Sequence, residues 1–135
     1  MSISGSCGCG AITYQANTTP KAIVNCHCNL CRTVNGSPYS TYAAIRFNKL
    51  ELKDEAANLT AFAPAEGVTK HFCKICGTPL YNLSNQYPGT CMVYLGTLIE
   101  CKTSELTFNV YCESKLSWVS DLDSYPSFNQ GYEKS

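Results

Sequence analysis

Three short clusters contain seven of the chain's ten cysteines. The clusters are Cys7-Gly8-Cys9, Cys26-His27-Cys28-Asn29-Leu30-Cys31 and Cys73-Lys74-Ile75-Cys76. Cysteine thiolates bind zinc, and a structural zinc site takes four protein ligands, whereas a catalytic site takes three and keeps one position for water or substrate. Seven clustered thiols therefore predict two zinc ions per chain, one structural and one catalytic.

The Cys73–Cys76 cluster is the most specific of the three signals. Two cysteines three residues apart, closed by a glycine such as Gly77, form the turn found in many structural zinc sites, and glycine takes the backbone conformation that such a turn needs. The alternative is a redox-active Cys-x-x-Cys pair, which opens a helix after a strand. Because Pro79 follows Gly77 so closely, no helix is expected, and zinc is favoured over redox chemistry.

Cys7 and Cys9 form the pair that would complete a four-ligand site. In an extended chain residues i and i+2 point to the same side, so both sulfurs can face one ion, and Gly8 and Gly10 let the backbone bend close to it. Alone, the pair is equally consistent with two unrelated buried thiols. Combined with the Cys73–Cys76 turn, it predicts a closed structural site whose ligands are Cys7, Cys9, Cys73 and Cys76.

The middle cluster predicts a site of a different kind. Cys26 and Cys28 can face one ion, and Cys31 can reach it if the chain turns after Cys28. His27 should point away by the same alternation, so its expected role is a hydrogen bond or a surface position rather than metal binding. Three thiolates leave a fourth position for water or a substrate thiol. We therefore predict a catalytic zinc on Cys26, Cys28 and Cys31.

Several roles stay open at the level of sequence, including which clusters meet in space. A fourth ligand could come from Cys91, Cys101 or Cys112, although Cys91 and Cys112 lie in apolar runs that favour buried thiols and Cys101 resembles a turn residue. Arg32 is equally consistent with offsetting the charge of the cluster, or holding an anionic substrate, and with an ordinary surface arginine. Trp118 is equally consistent with a wall of the catalytic pocket and with core or interface packing.

The charge pattern narrows the classes of partner. Ten basic and ten acidic side chains leave no formal net charge, and the basic ones are scattered singly, so we expect neither a nucleic-acid nor a membrane partner. No apolar run approaches the roughly 18 residues of a membrane helix, and the first residues lack a signal-peptide pattern. We expect a cytoplasmic protein, with the nucleus as the alternative, in which clustered cysteines bind metal rather than form disulfides.

Short β-prone segments between turn residues must position the clusters. The predicted strands cover residues 11–15, 40–45, 50–53, 59–62, 68–72, 78–82, 91–95 and 106–111. Helical turns are expected only at 29–33 and 117–122, and His71 is expected to be a hydrogen-bonded strand histidine rather than a base. The chain is predicted to be one β-rich zinc-binding domain, 1–126, followed by a C-terminal tail, 127–135.

Four segments resemble the glutathione-dependent formaldehyde-activating enzyme family, which also includes centromere protein V-like zinc domains. They are Gly5-Ser-Cys7-Gly-Cys9-Gly-Ala-Ile-Thr-Tyr14, Cys26-His-Cys28-Asn-Leu-Cys31-Arg32, Phe72-Cys73-Lys-Ile-Cys76-Gly-Thr-Pro-Leu80 and Glu113-Ser-Lys-Leu-Ser-Trp118-Val. The resemblance implies a mainly β fold of several small coiled antiparallel sheets organised around zinc. It also implies the same division of the seven cysteines between a structural and a catalytic zinc.

The resemblance further implies a carbon–sulfur lyase reaction and a small thiol partner. In the family's named reaction, zinc-bound glutathione thiolate adds to formaldehyde and gives S-hydroxymethylglutathione. The alternative is a non-catalytic zinc-binding module for protein interaction, with the second site vestigial or structural, and a third hypothesis is a thiol-redox sensor. The natural substrate, the oligomeric state and whether purified protein retains the second zinc stay open.

Overall fold

The computed structural model describes residues 2–100 and 106–132, and within them the fold is mainly β. The strands are β1 (Ile3–Ser6), β2 (Thr13–Ala16), β3 (Ala22–Cys26), β4 (Ser40–Arg46), β5 (Leu50–Lys53), β6 (Leu59–Ala65), β7 (Val68–Cys73), β8 (Pro79–Ser84), β9 (Thr90–Tyr94) and β10 (Thr107–Val110). One α-helix is described, α1 (Asn29–Asn35), together with 3₁₀ turns at Phe47–Lys49, Leu95–Thr97, Cys112–Ser114 and Ser117–Ser124. The predicted mainly β fold class is confirmed, whereas its organisation around zinc stays a prediction.

The described strands form two sheets. The smaller sheet has the order β1-β2-β5, and the larger has the order β10-β3-β4-β9-β8-β7-β6. All pairings within them are antiparallel except β3 with β10. This parallel pair was not predicted, and it is feasible because most of the chain lies between the two strands and supplies the long crossover that parallel strands need.

Each of the eight predicted strands overlaps an observed one, and both predicted helical turns are present. Sequence analysis missed β1 and β3. β1 has only four residues, with a glycine among them, and β3 runs directly into the middle cysteine cluster, which conceals its apolar alternation. These omissions matter for the site because each missed strand leads into a cysteine cluster.

The main hydrophobic core lies between the two sheets and includes part of the first predicted metal site. Ile12, Ile45 and Leu80 are fully buried, and Cys7 and Cys73 belong to the same cluster of buried side chains. Cys91 is also buried, as predicted. The inner side of the four-cysteine site is therefore continuous with the core, which fixes its position relative to both sheets.

The segment after β10 leaves the core. The prediction of a buried Cys112 was wrong, because β10 ends at Val110 and Tyr111 adopts a left-handed backbone conformation with φ 55°. Cys112 is therefore exposed at the start of a 3₁₀ turn, and Trp118 is 41% exposed.

The predicted Cys101 turn lies outside the described residues, and the predicted boundary between 126 and 127 stays a prediction.

The described helices are all short. None has the length and apolar composition of a membrane-spanning helix.

Candidate metal centres

The structure brings together the sulfur atoms of Cys7, Cys9, Cys73 and Cys76. All four lie within 4.8 Å of one another. Cys7 Sγ is 3.7 Å from Cys9 Sγ, which in turn is 3.8 Å from Cys73 Sγ. A tetrahedral zinc with metal–sulfur bonds of about 2.3 Å places its sulfur ligands about 3.8 Å apart. The separations therefore fit a tetrahedral metal ion in this group, called here the four-cysteine centre.

Two hairpin tips build the four-cysteine centre, one from each sheet. The turn from β1 to β2 carries Cys7 and Cys9, and the turn from β7 to β8 carries Cys73 and Cys76. Gly77 has φ 74° and donates its N–H to the Cys73 carbonyl at 2.8 Å. The prediction that Cys73–Cys76 forms a glycine-closed hairpin tip is confirmed, since only a residue without a Cβ adopts this conformation freely.

Thr78 connects the two hairpin tips of the four-cysteine centre. The backbone N–H of Gly8 donates to Thr78 Oγ1 at 2.9 Å, and the same hydroxyl lies 3.1 Å from Cys76 Sγ. Because the oxygen accepts from Gly8, its own hydrogen is free to be donated to the sulfur. Hydrogen bonds from the side chain and backbone of Thr78 lower the pKa of Cys76 to about 5, which favours the thiolate form that binds metal.

The three remaining clustered thiols form a separate group, the three-cysteine centre. The sulfurs of Cys26, Cys28 and Cys31 lie within 4.8 Å of one another, and those of Cys26 and Cys31 are 3.4 Å apart. Among the residues that the structure describes, no further histidine, cysteine or acidic side chain joins the group. Cys28 and Cys31 are partly exposed. The geometry thus leaves one side of the centre accessible to an incoming ligand.

Strand β3 and helix α1 position the three-cysteine centre. Cys26 is the last residue of β3, and Cys28 is the N-cap of α1, where its sulfur accepts the N–H of Cys31 at 3.2 Å. The helix turn therefore returns Cys31 toward Cys26, as predicted. Cys31 donates a hydrogen bond to Cys26, and this bond lowers the pKa of Cys26 to about 6, although burial acts in the opposite direction. The same bond raises the pKa of Cys31. A soft thiol set with one thiolate already favoured fits zinc.

His27 points away from the three-cysteine centre. Its Nε2 lies 3.1 Å from Asn109 Oδ1, and its ring packs against Tyr39 with centroids 5.0 Å apart. The side chain is 1% exposed, and its Nδ1 has no hydrogen-bond partner in the described structure. The contact agrees with the hydrogen-bonding role predicted for His27, and its ring nitrogens lie outside the three-cysteine group.

Arg32 has a role that sequence analysis missed. Its guanidinium group donates to the carbonyl oxygen of His27 at 2.9 Å, to the carbonyl oxygen of Ser114 and to Asn29 Oδ1. The hydrogen bonds of Arg32 therefore link the start of α1 to the segment that follows β10. None of the open roles, which were offsetting the charge of the cluster, holding an anionic substrate or lying at the surface, included this contact, because Ser114 is distant in sequence and nothing local signals it.

Comparison with known families identifies one that covers most of the chain. A family profile described as glutathione-dependent formaldehyde-activating enzyme matches residues 2–114. The chain belongs to this family. The match includes all seven clustered cysteines.

Relatives of the chain carry related names. A Schizosaccharomyces pombe protein named as an uncharacterised lyase is 31% identical over 77 residues, 57% of this chain and 54% of that protein. A Halomonas elongata protein with the provisional name glutathione-dependent formaldehyde-activating enzyme is 27% identical over 94 residues, 65% of this chain and 60% of that protein. The chain thus spans little more than half the length of these curated relatives.

A solved structure shows the same fold. A Rhodobacter sphaeroides protein from a structural genomics programme superposes with a TM-score of 0.61 over 77% of this chain and 97% of that one, at 22% sequence identity.

Tyr42 is a second residue that sequence analysis missed at the three-cysteine centre. Its hydroxyl lies 3.3 Å from Cys31 Sγ. The contact depends on the register of β3 against β4, in which Cys26 pairs with Ser40 and Tyr42 lies two residues further along the same face. Recognising β3 would have revealed this neighbour, since residues two apart on a strand share a face.

A cavity of about 580 Å³ lies on the flank of α1 that faces β6 and β7. Its lining is mainly apolar, with one charged side chain, and consists of Leu30, Thr33, Val34, Phe62, Pro64, Lys70, Phe72 and Gly77. None of the seven clustered sulfurs lines it. Burial lowers the pKa of Lys70.

Proposed function

We propose that this chain is a zinc-dependent enzyme of the carbon–sulfur lyase type that joins a small thiol, such as glutathione, to an aldehyde, such as formaldehyde. Cys26, Cys28 and Cys31 hold the catalytic zinc in this proposal. The observation that carries it is the three-cysteine centre, in which one buried and two partly exposed thiols converge and no fourth donor joins them in the described structure. Family membership supports the thiol and the aldehyde as substrate classes.

The reaction forms one carbon–sulfur bond and is balanced without a redox partner. The substrate thiolate adds to the aldehyde carbon, the carbonyl π electrons move to oxygen, and that oxygen takes up a proton to give an S-hydroxyalkyl product. A zinc ion with three thiolate ligands supplies a fourth position at which a substrate thiol is kept deprotonated at neutral pH.

Neighbouring residues position the thiols of this centre and limit the side from which a substrate can approach. Cys28 caps α1 and so holds Cys31 toward Cys26. Tyr42 covers the inner side of the centre, where it is 3% exposed, and leaves the outer side for substrate. This asymmetry directs the approach of a ligand to the exposed face.

We propose a structural zinc at the four-cysteine centre. Four thiolates complete a tetrahedral shell and leave no position for substrate. Its role is to join the two hairpin tips, so it acts on stability rather than on chemistry.

We also propose that the protein is cytoplasmic, because cysteine ligands persist as thiols in a reducing compartment.

Metal stoichiometry combined with thiol binding tests the proposal. Wild-type protein purified under reducing conditions is expected to contain two zinc ions per chain. X-ray absorption at the zinc edge should report one additional sulfur ligand per two zinc ions after glutathione is added. An NMR assay with labelled formaldehyde and glutathione should show faster formation of the S-hydroxymethyl adduct than in buffer.

Single cysteine variants separate this proposal from the interaction-module alternative. Cys26→Ser should retain one zinc and the fold while losing the glutathione-dependent sulfur signal and the acceleration. Cys112→Ser is the matched control, because that thiol is exposed and outside both centres, and it should behave as wild type. A wild-type protein that holds one zinc even after excess zinc is supplied, or two zincs that never gain a sulfur ligand, would refute the catalytic proposal and favour a binding module.

A further inference from the structure

A buried polar network lies behind the three-cysteine centre. Tyr42 Oη is 3.3 Å from Cys31 Sγ, and Asn82 Nδ2 is 3.3 Å from the same Tyr42 oxygen. Tyr94 Oη is 3.0 Å from Asn82 Oδ1. Tyr42 and Tyr94 are 3% and 8% exposed, and their rings pack edge to face with centroids 4.9 Å apart. Packing therefore fixes both hydroxyl groups in place.

The network continues to the far end of α1. Asn35 Oδ1 accepts a hydrogen bond from Lys70 Nζ at 2.9 Å and also lies 3.1 Å from Tyr94 Oη. Asn35 Nδ2 donates to Ser40 Oγ at 2.6 Å. Lys70 also donates to the Val34 carbonyl oxygen at 2.9 Å. The lysine thus holds the last residue of α1, while Cys31 lies one helical turn earlier on the same side.

The hydrogen bonds that join Cys31, Tyr42 and Asn82 have one consistent direction. A cysteine sulfur that binds a metal has no proton and can only accept, so Tyr42 must donate its hydroxyl hydrogen to Cys31. The Tyr42 oxygen then accepts from the amide nitrogen of Asn82. Tyr94 can donate to the amide oxygen of Asn82, which holds the amide with its nitrogen toward Tyr42. Each group thereby orients the next one.

We propose that Tyr42 is a positioning residue of the three-cysteine centre, whose hydroxyl donates to the Cys31 thiolate, and that Asn82 sets the direction of that hydrogen bond. The inference rests on the proposed function, since it requires Cys31 to be a metal ligand. Hydrogen-bond partners of metal ligands orient those ligands and tune their donation, and their loss typically weakens metal binding by about 10- to 100-fold.

Cobalt substitution makes this hydrogen bond visible, because cobalt bound to thiolates has a sulfur-to-metal charge-transfer band. In Tyr42→Phe the aromatic ring is kept and only the hydroxyl is lost. The Cys31 lone pair is then less stabilised, so the band of the three-cysteine centre should move to longer wavelength. Chelator competition should show about 10-fold or greater loss of affinity for the more weakly held of the two cobalt ions.

Asn82→Asp tests the direction of the network while Tyr42 is retained. Both oxygens of a carboxylate accept, so the Tyr42 hydroxyl should turn from Cys31 to Asp at position 82. We expect a shift to longer wavelength and a loss of affinity, as in Tyr42→Phe. The negative charge that Asn82→Asp adds near the three-cysteine centre would by itself strengthen the binding of a cation. Weaker cobalt binding in this variant would therefore indicate the loss of the Tyr42–Cys31 hydrogen bond rather than an effect of the added charge.

Tyr81→Phe is the matched control. Tyr81 is another buried tyrosine of the large sheet, but it stacks on His71 and belongs to the main core rather than to the cluster around Cys26, so its variant should match wild type. Two cobalt ions with an unchanged band and affinity in Tyr42→Phe would overturn the role of Tyr42 and leave the proposed function intact. One cobalt in wild type would overturn both the catalytic metal site and this role. If Tyr42→Phe binds no metal and is unfolded, Asn82→Asp decides, and a wild-type spectrum there overturns the inference.

Discussion

At the scale of single residues, Thr78 shows how one hydroxyl can organise the four-cysteine centre. It accepts from the Gly8 backbone and donates to Cys76, so it joins hairpin tips that come from different sheets. Neither bond is evident from sequence, because Gly8 and Thr78 are 70 residues apart. The cysteine spacings predict which sulfurs bind a metal, whereas the groups that orient these sulfurs follow from long-range packing.

Thr78→Val is therefore expected to weaken the four-cysteine centre without removing a ligand. Valine has nearly the same shape but leaves the exposed Gly8 N–H and Cys76 Sγ without this partner, so the urea midpoint should fall modestly. Zinc release to a chelator should also be faster than in wild type. Thr60→Val, in the adjacent strand β6, is the control for the loss of a hydroxyl. Equal stability of the two variants in urea unfolding would contradict the bridging role.

His71 gives a pH-dependent prediction. Its ring stacks on Tyr81 at 4.4 Å, its Nε2 lies 3.1 Å from Thr69 Oγ1, and burial lowers its pKa below 6.5. These contacts confirm the expected strand histidine. Because the unfolded chain then takes up a proton at higher pH than the folded protein, stability contributed by neutral His71 is complete above pH 6.5 and is lost as the pH falls through the folded pKa.

An NMR titration of the His71 ring should give a pKa below 6.5. His71→Phe keeps an aromatic partner for Tyr81 and removes the titration, so the dependence of unfolding free energy on pH should become shallower below pH 6.5. Since protonation of the cysteine ligands also destabilises the protein in acid, the comparison is the difference between variant and wild type. Parallel curves for the two proteins would rule out a contribution from His71.

At the scale of elements, the sequence predicted most strands because alternating polarity marks them locally. It could not predict how they pair. The parallel pair of β3 and β10 and the register of β3 on β4 each join distant segments. That register places Tyr42 beside Cys31. Sequence analysis missed both strand β3 and the role of Tyr42 because both depend on this pairing of β3 with β4.

At Gly5, strand β1 packs so closely against neighbouring residues that there is no space for a side chain. A Cβ at Gly5 in strand β1 would overlap the Tyr14 hydroxyl group and the Thr97 carbonyl oxygen, and the latter is backbone that cannot rotate away. Gly5→Ala should lower the unfolding free energy by about 1–3 kcal/mol, as overpacking typically does. Gly96→Ala is the matched control, since a Cβ there meets nothing within 4 Å. Similar urea midpoints for both variants would exclude this close approach.

At the scale of the whole molecule, the two centres differ in what they connect. Cys9 and Cys73 are 64 residues apart, whereas Cys26 and Cys31 are 5 residues apart. Closing the longer loop removes about 2 kcal/mol more conformational entropy from the unfolded chain, by the logarithmic dependence on loop length. Cys7 and Cys73 also belong to the main core, while Cys26 belongs to a smaller cluster with Tyr42 and Tyr94. Stability should therefore depend far more on the four-cysteine centre.

Removing one ligand from each centre tests this asymmetry. Cys9→Ser should lose the structural metal, separate the two hairpin tips and lower the urea midpoint strongly, because metal binding to such sites contributes directly to folding. Cys28→Ser should lose only the metal of the three-cysteine centre and keep most of the unfolding free energy. Both are partly or fully exposed cysteines, so the substitutions themselves disturb little packing. Metal content by mass spectrometry and urea unfolding with and without a chelator measure the two effects, and equal destabilisation by both variants would show that the centres support the fold equally.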